Sequence, residues 1–436
     1  MTDSLPSSIE VCIVGAGPSG LACALGLAAR NIPFVIVDAV AEGHTDSRAI
    51  AFNPSALESL ALVNPQVADD LVAAGNRGKT FSIVDRKDNT LFSLPLSNSL
   101  SKYTKFHWVL VMPQHIAEEQ MRNALKRAGH PVYFNNRVHA AVDGGSQYTL
   151  QFESGHVLQA RYVVAADGSK SFLRSFAGIS SIDPLTNKLS APGPTDESFI
   201  VADVILSNHS PFIPRDGMQI RLGDDGFVLT GPMIDPSLSA EETERLFRLY
   251  IGMSDVPPRN PDIEYLQRIL DTRGPGAWKA PKDVPKIAKV LSSQRFRTRN
   301  SLAETYVRRS STGGAYILLA GDAAHTHGPA GGQGMNLGIS EACELAEAIY
   351  EHRNASLAEK KDSEKILDTF STRRRAVARE IILMVEGMSV VERGGTGWML
   401  WMRTTMMWLG VRIPGVKGYL AWNLSGLGRI QKRASL

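Results

Sequence analysis

Residues 9–20 read Ile9-Glu10-Val11-Cys12-Ile13-Val14-Gly15-Ala16-Gly17-Pro18-Ser19-Gly20, an apolar run that breaks directly into a glycine-rich turn. A small, apolar stretch at 21–29 follows, then a second apolar run at 34–37 that ends at Asp38. Strand, turn, helix and strand within about 30 residues predict a βαβ unit. Gly15 permits the tight turn, Gly17 lets backbone approach a pyrophosphate, and Gly20 allows close packing of helix on strand. Ala16, Pro18 and Ser19 complete the turn at a helix N-terminus, whose free N–H groups favour phosphate charge. Asp38, 18 residues beyond Gly20, stands where a carboxylate accepts from ribose hydroxyls. The pattern predicts a dinucleotide site and does not choose between flavin and nicotinamide.

Further along, 54–62 and 114–128 read as helices, 78–96 alternates like strands, and short β-like runs recur at 131–140, 147–153 and 157–165. The stretch 181–197 is loop by composition and marks a crossing into a second domain. There we expect strands at 198–206, 217–222 and 226–231, a helix at 239–252, and Pro/Gly-rich surface segments at 255–261 and 272–285. A buried strand at 315–320 and a helix at 340–352 return the chain to the first domain. A long helix spans 360–392.

At 436 residues, with 43% hydrophobic and 21% charged residues, the chain has apolar surface for two or three domains, which excludes wholesale disorder. A net charge of +3 without a Lys/Arg stripe argues against nucleic acid. Cys12, Cys23 and Cys343 are too few and scattered for a disulfide framework or a Cys-rich zinc site, and read as buried small hydrophobes. The first residues carry neither a basic nor an apolar leader region, and no apolar run reaches the ~20 residues of a spanning helix. A reduced, cytoplasmic setting is the expectation.

Two later motifs sharpen the first. Val163-Val164-Ala165-Ala166-Asp167-Gly168 is an apolar strand ending in Asp-Gly, followed by Ser169 and Arg174. Leu318-Leu319-Ala320-Gly321-Asp322 is another, and it runs on through His325-Thr326-His327-Gly328-Pro329 to Gly331-Gly332-Gln333-Gly334-Met335-Asn336. An aspartate at a strand end can accept from a ribityl or ribose hydroxyl. Glycines between a buried strand and a helix serve close backbone approach to an anion.

These three motifs, in this order and spacing, resemble the single-component flavin-dependent aromatic hydroxylases, the group of p-hydroxybenzoate and phenol hydroxylases. The resemblance covers residues 9–390. It implies an α/β fold: a Rossmann-like FAD-binding domain from 1–78, 97–180 and 295–360, an inserted β-rich substrate domain from 79–96 and 181–294, and a C-terminal helical region from 361–436. Gly15, Gly17, Gly20 and Asp38 would hold the adenosine end of FAD, and Arg48 would lie near the pyrophosphate. Gln114 would reach FAD from below, and Asp167 and Gly168 would face FAD and NADPH pyrophosphates. Gly321 and Asp322 would bind the ribityl chain, while Pro329 and Gly331–Asn336, among them Gly332, Gly334 and Met335, would line the isoalloxazine ring. Ser47 stands where relatives often carry a second arginine.

The reaction so implied consumes NADPH or NADH and molecular oxygen, and hydroxylates an apolar aromatic or phenolic molecule through a flavin C4a-hydroperoxide. Two rivals are an epoxidase or reductase acting on a polyprenyl or other alkene, and a non-catalytic binding protein on the same fold. The sequence does not identify the base. Arg221 and Pro329 are the catalytic candidates, with Gln219 and Thr230 beside Arg221 on strands whose Met218, Ile220, Phe227, Val228 and Met233 would form an apolar pocket.

His325 and His327 form a His-x-His without an acidic or Cys partner nearby, and the glycine loop accounts better for the place, so no metal site is expected. Arg373, Arg374 and Arg375 read as a solvated helix start or a structural clamp. The tail, similar in pattern to those of ubiquinone-biosynthesis hydroxylases, holds Trp398, Trp401, Trp408 and Trp422, four of six tryptophans. Trp398, Trp401, Met402, Met406 and Trp408 recur at helical spacing, flanked by Arg403 and Arg412. We expect this stripe to pack as a lid over the substrate domain. A homodimer face and a peripheral membrane contact are the other readings.

Overall fold

The computed structural model describes residues 4–43, 49–190, 198–224, 226–358, 362–392, 402, 405–406 and 408–429. The βαβ unit forms as its residues require. Strand Ser8–Val14, buried from Val11 onward, pairs in parallel with Phe34–Val37 on one side and Val157–Ala165 on the other. Tyr316–Leu319 continues the sheet in parallel beside 157–165, so the three motif-bearing strand ends lie on one side. Strands buried on both faces read as unbroken apolar runs, which is why these were legible. Helix Pro18–Ala28 packs on Gln333–Leu357, with Gly26 giving room for Ala346.

A second, seven-stranded sheet runs in the order 287–297, 198–206, 246–253, 226–232, 217–223, 80–84, 90–95. Its faces follow the two-residue period of a strand. Ile200, Ala202, Val204, Leu249 and Ile251 pack against helix Ile263–Arg273. Phe199, Val201, Tyr250, Met218, Phe227 and Leu229 point the other way, into a cluster with Ile50, Ala51 and Val111.

The helix expected at 239–252 is corrected. Ser239 caps a single turn, Ala240–Glu244, with a capping box closed by Glu242. The apolar residues after it form strand Leu246–Met253, hydrogen-bonded on both sides. Leu246–Arg248–Tyr250 and Phe247–Leu249–Ile251 divide cleanly between the two faces, a division that a helical period cannot make. The arginines at 373–375 are also not at a helix start. Helix Glu364–Glu392 begins nine residues earlier, and Arg374 is buried. Arg373 reaches Glu344 at 2.7 Å, and Arg375 donates to the Ala303 carbonyl. They form a structural clamp.

Among the described residues, the tail divides. Helix Val416–Ser425 sets Ala421, Leu420 and Leu424 against Phe92, Leu94, Leu96 and Leu100. Met402, Met406 and Trp408, by contrast, are exposed. This corrects the packed stripe: the lid is built by residues further along, because they are the ones that meet an apolar partner surface. Trp398, Trp401 and Arg403 lie outside the described residues. No helix among those described is long and apolar enough to cross a membrane.

Candidate active site

At the first turn, a Cβ on Gly20 would sit 1.9 Å from the Gly15 carbonyl oxygen, so helix and turn touch backbone to backbone. Nothing lies within 4 Å of a Cβ on Gly17, the extended residue that starts the helix. Space is therefore open where a pyrophosphate would meet free N–H groups. Asp38 folds back on the turn: its Oδ2 accepts from the Ala16 N–H at 2.6 Å and its Oδ1 from Val40 at 3.1 Å. A carboxylate offers about four acceptor sites, so ribose hydroxyls can still be met there. Arg48 and Ser47 lie outside the described residues. Gln114 ties the chain just after them, accepting from the Ala49 N–H at 3.1 Å.

The Asp167 motif turns inward. Asp167 Oδ2 accepts from Leu173 N–H, Oδ1 is buried without a partner, and burial raises the carboxyl above its ordinary range. Gly168 takes a left-handed conformation. The residues of this segment that face the cavity are Ser169, Lys170 and Arg174. Arg174 donates to the Ala323 and Ser169 carbonyls, joining this motif to the third.

In the third motif, the buried Glu341 carboxylate holds both ends of a short turn. Its Oε1 accepts from the Gly321 N–H at 3.0 Å and lies 3.3 Å from His325 Nε2. His325 thus has an acidic partner, one 16 residues away in sequence. Among the described residues, however, no metal-holding cluster exists. Asp322, between the two anchors, is exposed into the cavity. Gly331 and Gly332 are consecutive left-handed residues that deliver the chain into helix Gln333–Leu357. Asn336 holds that start in place: its Oδ1 accepts from the Asn53 N–H, and its Nδ2 donates to the Ala51 and Gly332 carbonyls.

His327 Nδ1 donates to the Gly328 carbonyl at 2.7 Å, which fixes the tautomer. Burial lowers its pKa to about 4, so the ring is neutral near pH 7.

These parts enclose one cavity of about 850 Å³. One wall is Asp322, Pro329, Gly332, Gly334, Met335 and Asn336. The opposite wall is apolar and comes from the second sheet, with Phe81, Met218, Ile220, Phe227 and Leu229. Phe296, Phe199 and Tyr250 stand side by side on it, their ring centroids 5.8 and 6.1 Å apart in succession. Sequence reading missed this row, because its members come from three strands and meet only through register. Leu96, Leu100 and Leu424 close one side.

The catalytic candidate Arg221 is corrected. On strand Gly217–Gly223, Met218 and Ile220 face the cavity, so Gln219 and Arg221 face away. Arg221 is buried against Asp88, and burial pulls its guanidinium down to about 10. Thr230 is paired with Gln219 on the same far face, and Val228 packs with the helix there. Pro329 does line the cavity, where its carbonyl accepts from the Gly332 N–H.

Two substitutions separate these walls. Asp322→Ala should weaken FAD retention by about 1–3 kcal/mol, because a hydroxyl loses its acceptor. Undiminished flavin after dialysis would contradict that. Arg221→Met strands a buried carboxylate and should lower unfolding stability by about 3 kcal/mol. Calorimetry should show aromatic ligand affinity unchanged, and a large loss of affinity would return Arg221 to the cavity.

Comparison with known proteins agrees with this geometry. A family model described as FAD binding domain matches residues 8–249 and 277–384. The 6-methylpretetramide 4-monooxygenase of Streptomyces rimosus is 26% identical over 386 residues, covering 86% of this chain and 60% of its own length. The 3-hydroxybenzoate 4-monooxygenase of Comamonas testosteroni is 25% identical, covering 87% and 59%. The chain thus spans about 60% of the length of these relatives. Among solved structures, p-nitrophenol 4-monooxygenase from Pseudomonas putida DLL-E4 superposes with a TM-score of 0.78 at 21% identity, covering 97% of this chain and 99% of that one. Klebsiella pneumoniae HpxO, solved with FAD and uric acid, gives 0.70 at 17%, covering 96% and 97%. These likenesses share the α/β fold with its helical C-terminal region. The chain belongs to the FAD-binding domain family.

Proposed function

We propose that this protein is a FAD-dependent monooxygenase that takes electrons from NADPH or NADH and hydroxylates an apolar aromatic or phenolic molecule. The observation that carries this reading is a cavity with Asp322 and the 331–336 turn on one wall and the Phe296–Phe199–Tyr250 row on the other. Bound flavin supplies the redox and oxygen-activating chemistry. The chain supplies position and dryness. Asp322 would accept from the ribityl chain, and the N–H groups that open helix 333–357 would favour negative charge on the ring. Asp38 and the 15–20 turn would hold the adenosine end, while Ser169, Lys170 and Arg174 would offer donors to a visiting nicotinamide dinucleotide. Phe199, Tyr250 and Phe296 orient a planar substrate, and Met218, Ile220 and Leu229 keep water from it. Three of the four proteins named above are monooxygenases, two of them of 3-hydroxybenzoate and p-nitrophenol, which favours this reading over an alkene epoxidase, a reductase or a non-catalytic binding protein.

The test is NADPH and NADH consumption against a panel of phenols and quinols under oxygen-18, with product mass spectra. We expect a substrate that accelerates consumption and gains one labelled oxygen atom. Consumption that yields only hydrogen peroxide with every aromatic tried, or a product without labelled oxygen, would contradict the assignment.

A further inference from the structure

The sequence after Glu392 contains no Asp or Glu and seven Lys or Arg residues, against a net charge of +3 for the whole chain. The first 392 residues therefore carry a net −4, and the basic excess sits entirely in the tail. In the same segment Met402, Met406, Trp408, Leu409, Ile413 and Tyr419 are exposed, Met406 by 65% and Tyr419 by 69%. Arg412 stacks its guanidinium over the Trp408 ring at 3.3 Å and donates to the Trp408 carbonyl. The neighbouring loop extends the patch: Tyr103, also exposed, meets Trp422 edge-on at 4.8 Å, with the Lys102 ammonium over its ring. Trp and Tyr rings beside Lys and Arg, around aliphatic side chains, are what a bilayer interface accommodates.

We propose that this patch docks the protein on an anionic membrane surface. Charge selects that occupant. A second copy of the chain, meeting the patch through a two-fold axis, would oppose two cationic faces that lack any carboxylate in the tail. An anionic headgroup layer complements the cations, and its acyl boundary takes Met406, Leu409 and Ile413. The docked face is also the back of a cavity wall. Leu424 and Ser425 line the cavity on the helix that exposes Tyr419, and Leu96 and Leu100 beneath them line it as well. An apolar substrate dissolved in the bilayer would reach the site from that side. This last point rests on the proposed reaction, whereas docking does not.

The experiment is co-sedimentation of the FAD-loaded protein with vesicles of phosphatidylcholine alone and with about 30% phosphatidylglycerol. Binding should be at least about tenfold tighter to the anionic vesicles and should fall steeply from about 0.1 to about 0.5 M salt. The variants Trp408→Ser and Ile413→Ser should each weaken it several-fold, while flavin content and turnover of a water-soluble substrate stay unchanged. Arg412→Glu and Lys417→Glu should do the same through charge. No binding to either vesicle would overturn the proposal, as would equal binding to both. So would a concentration-dependent dimer that Trp408→Ser dissolves, or loss of vesicle binding on nuclease treatment. Failure of turnover with intact vesicle binding would count against the proposed reaction and leave docking standing.

Discussion

The site depends on one buried carboxylate. Glu341, on the third turn of helix 333–357, accepts from the Gly321 N–H and lies against His325, so it fixes the turn that carries Asp322. From the other side Arg374 approaches it at 3.8 Å and Glu344 at 3.5 Å. A carboxylate with no exposure is tolerated only when it is charge-paired and hydrogen-bonded. The C-terminal helical region therefore contributes an ion pair to the turn at the cofactor wall, and the two cannot be placed independently. Asn336, on the same helix, anchors the chain at Ala51 and Asn53. Asp203 and Arg248 do similar work across the cavity: Arg248 donates to both Asp203 oxygens and to the Ala49 carbonyl, tying the second sheet to the segment after Arg48.

What the sequence made legible follows from what is local. The βαβ unit, its glycines and the three strand-end motifs are contiguous in the chain, and their spacing carries their chemistry. The apolar strands of the first sheet are buried on both faces and so read as uninterrupted runs. The second sheet was harder to read. Arg221 looked like a residue aimed at substrate because it sits among pocket residues in sequence. Its face is set by strand period and register, which put Met218 and Ile220 toward the cavity and Arg221 toward Asp88. The aromatic row and the partner of His325 are long-range, and no local pattern announces them. The strand Leu246–Met253 was mistaken for a helix because a short apolar run has no period of its own; only pairing on both sides decides it. In the tail, helical spacing of large apolar residues was read as a buried stripe, yet spacing says nothing about whether a partner surface is present.

Stability and function draw on different parts of the same sheet. Its far face closes a conventional apolar core with helix 263–273, while its near face is left concave by the row Phe296, Phe199 and Tyr250. The first sheet brings its motif-bearing strand ends to the opposite side of that concavity. A cavity between two sheets, one presenting glycine turns and the other aromatic side chains, can hold a cofactor and a planar ring face to face without either sheet changing its own packing.

Such an arrangement is tested most directly by the absorption spectrum of the bound flavin. Anaerobic titration of the FAD-loaded protein with an apolar phenol should perturb the flavin bands in step with binding measured by calorimetry. Phe199→Ala should weaken both together. If calorimetry registers binding while the flavin spectrum stays unchanged, the ring and the cofactor do not share the cavity, and the account of this site is wrong.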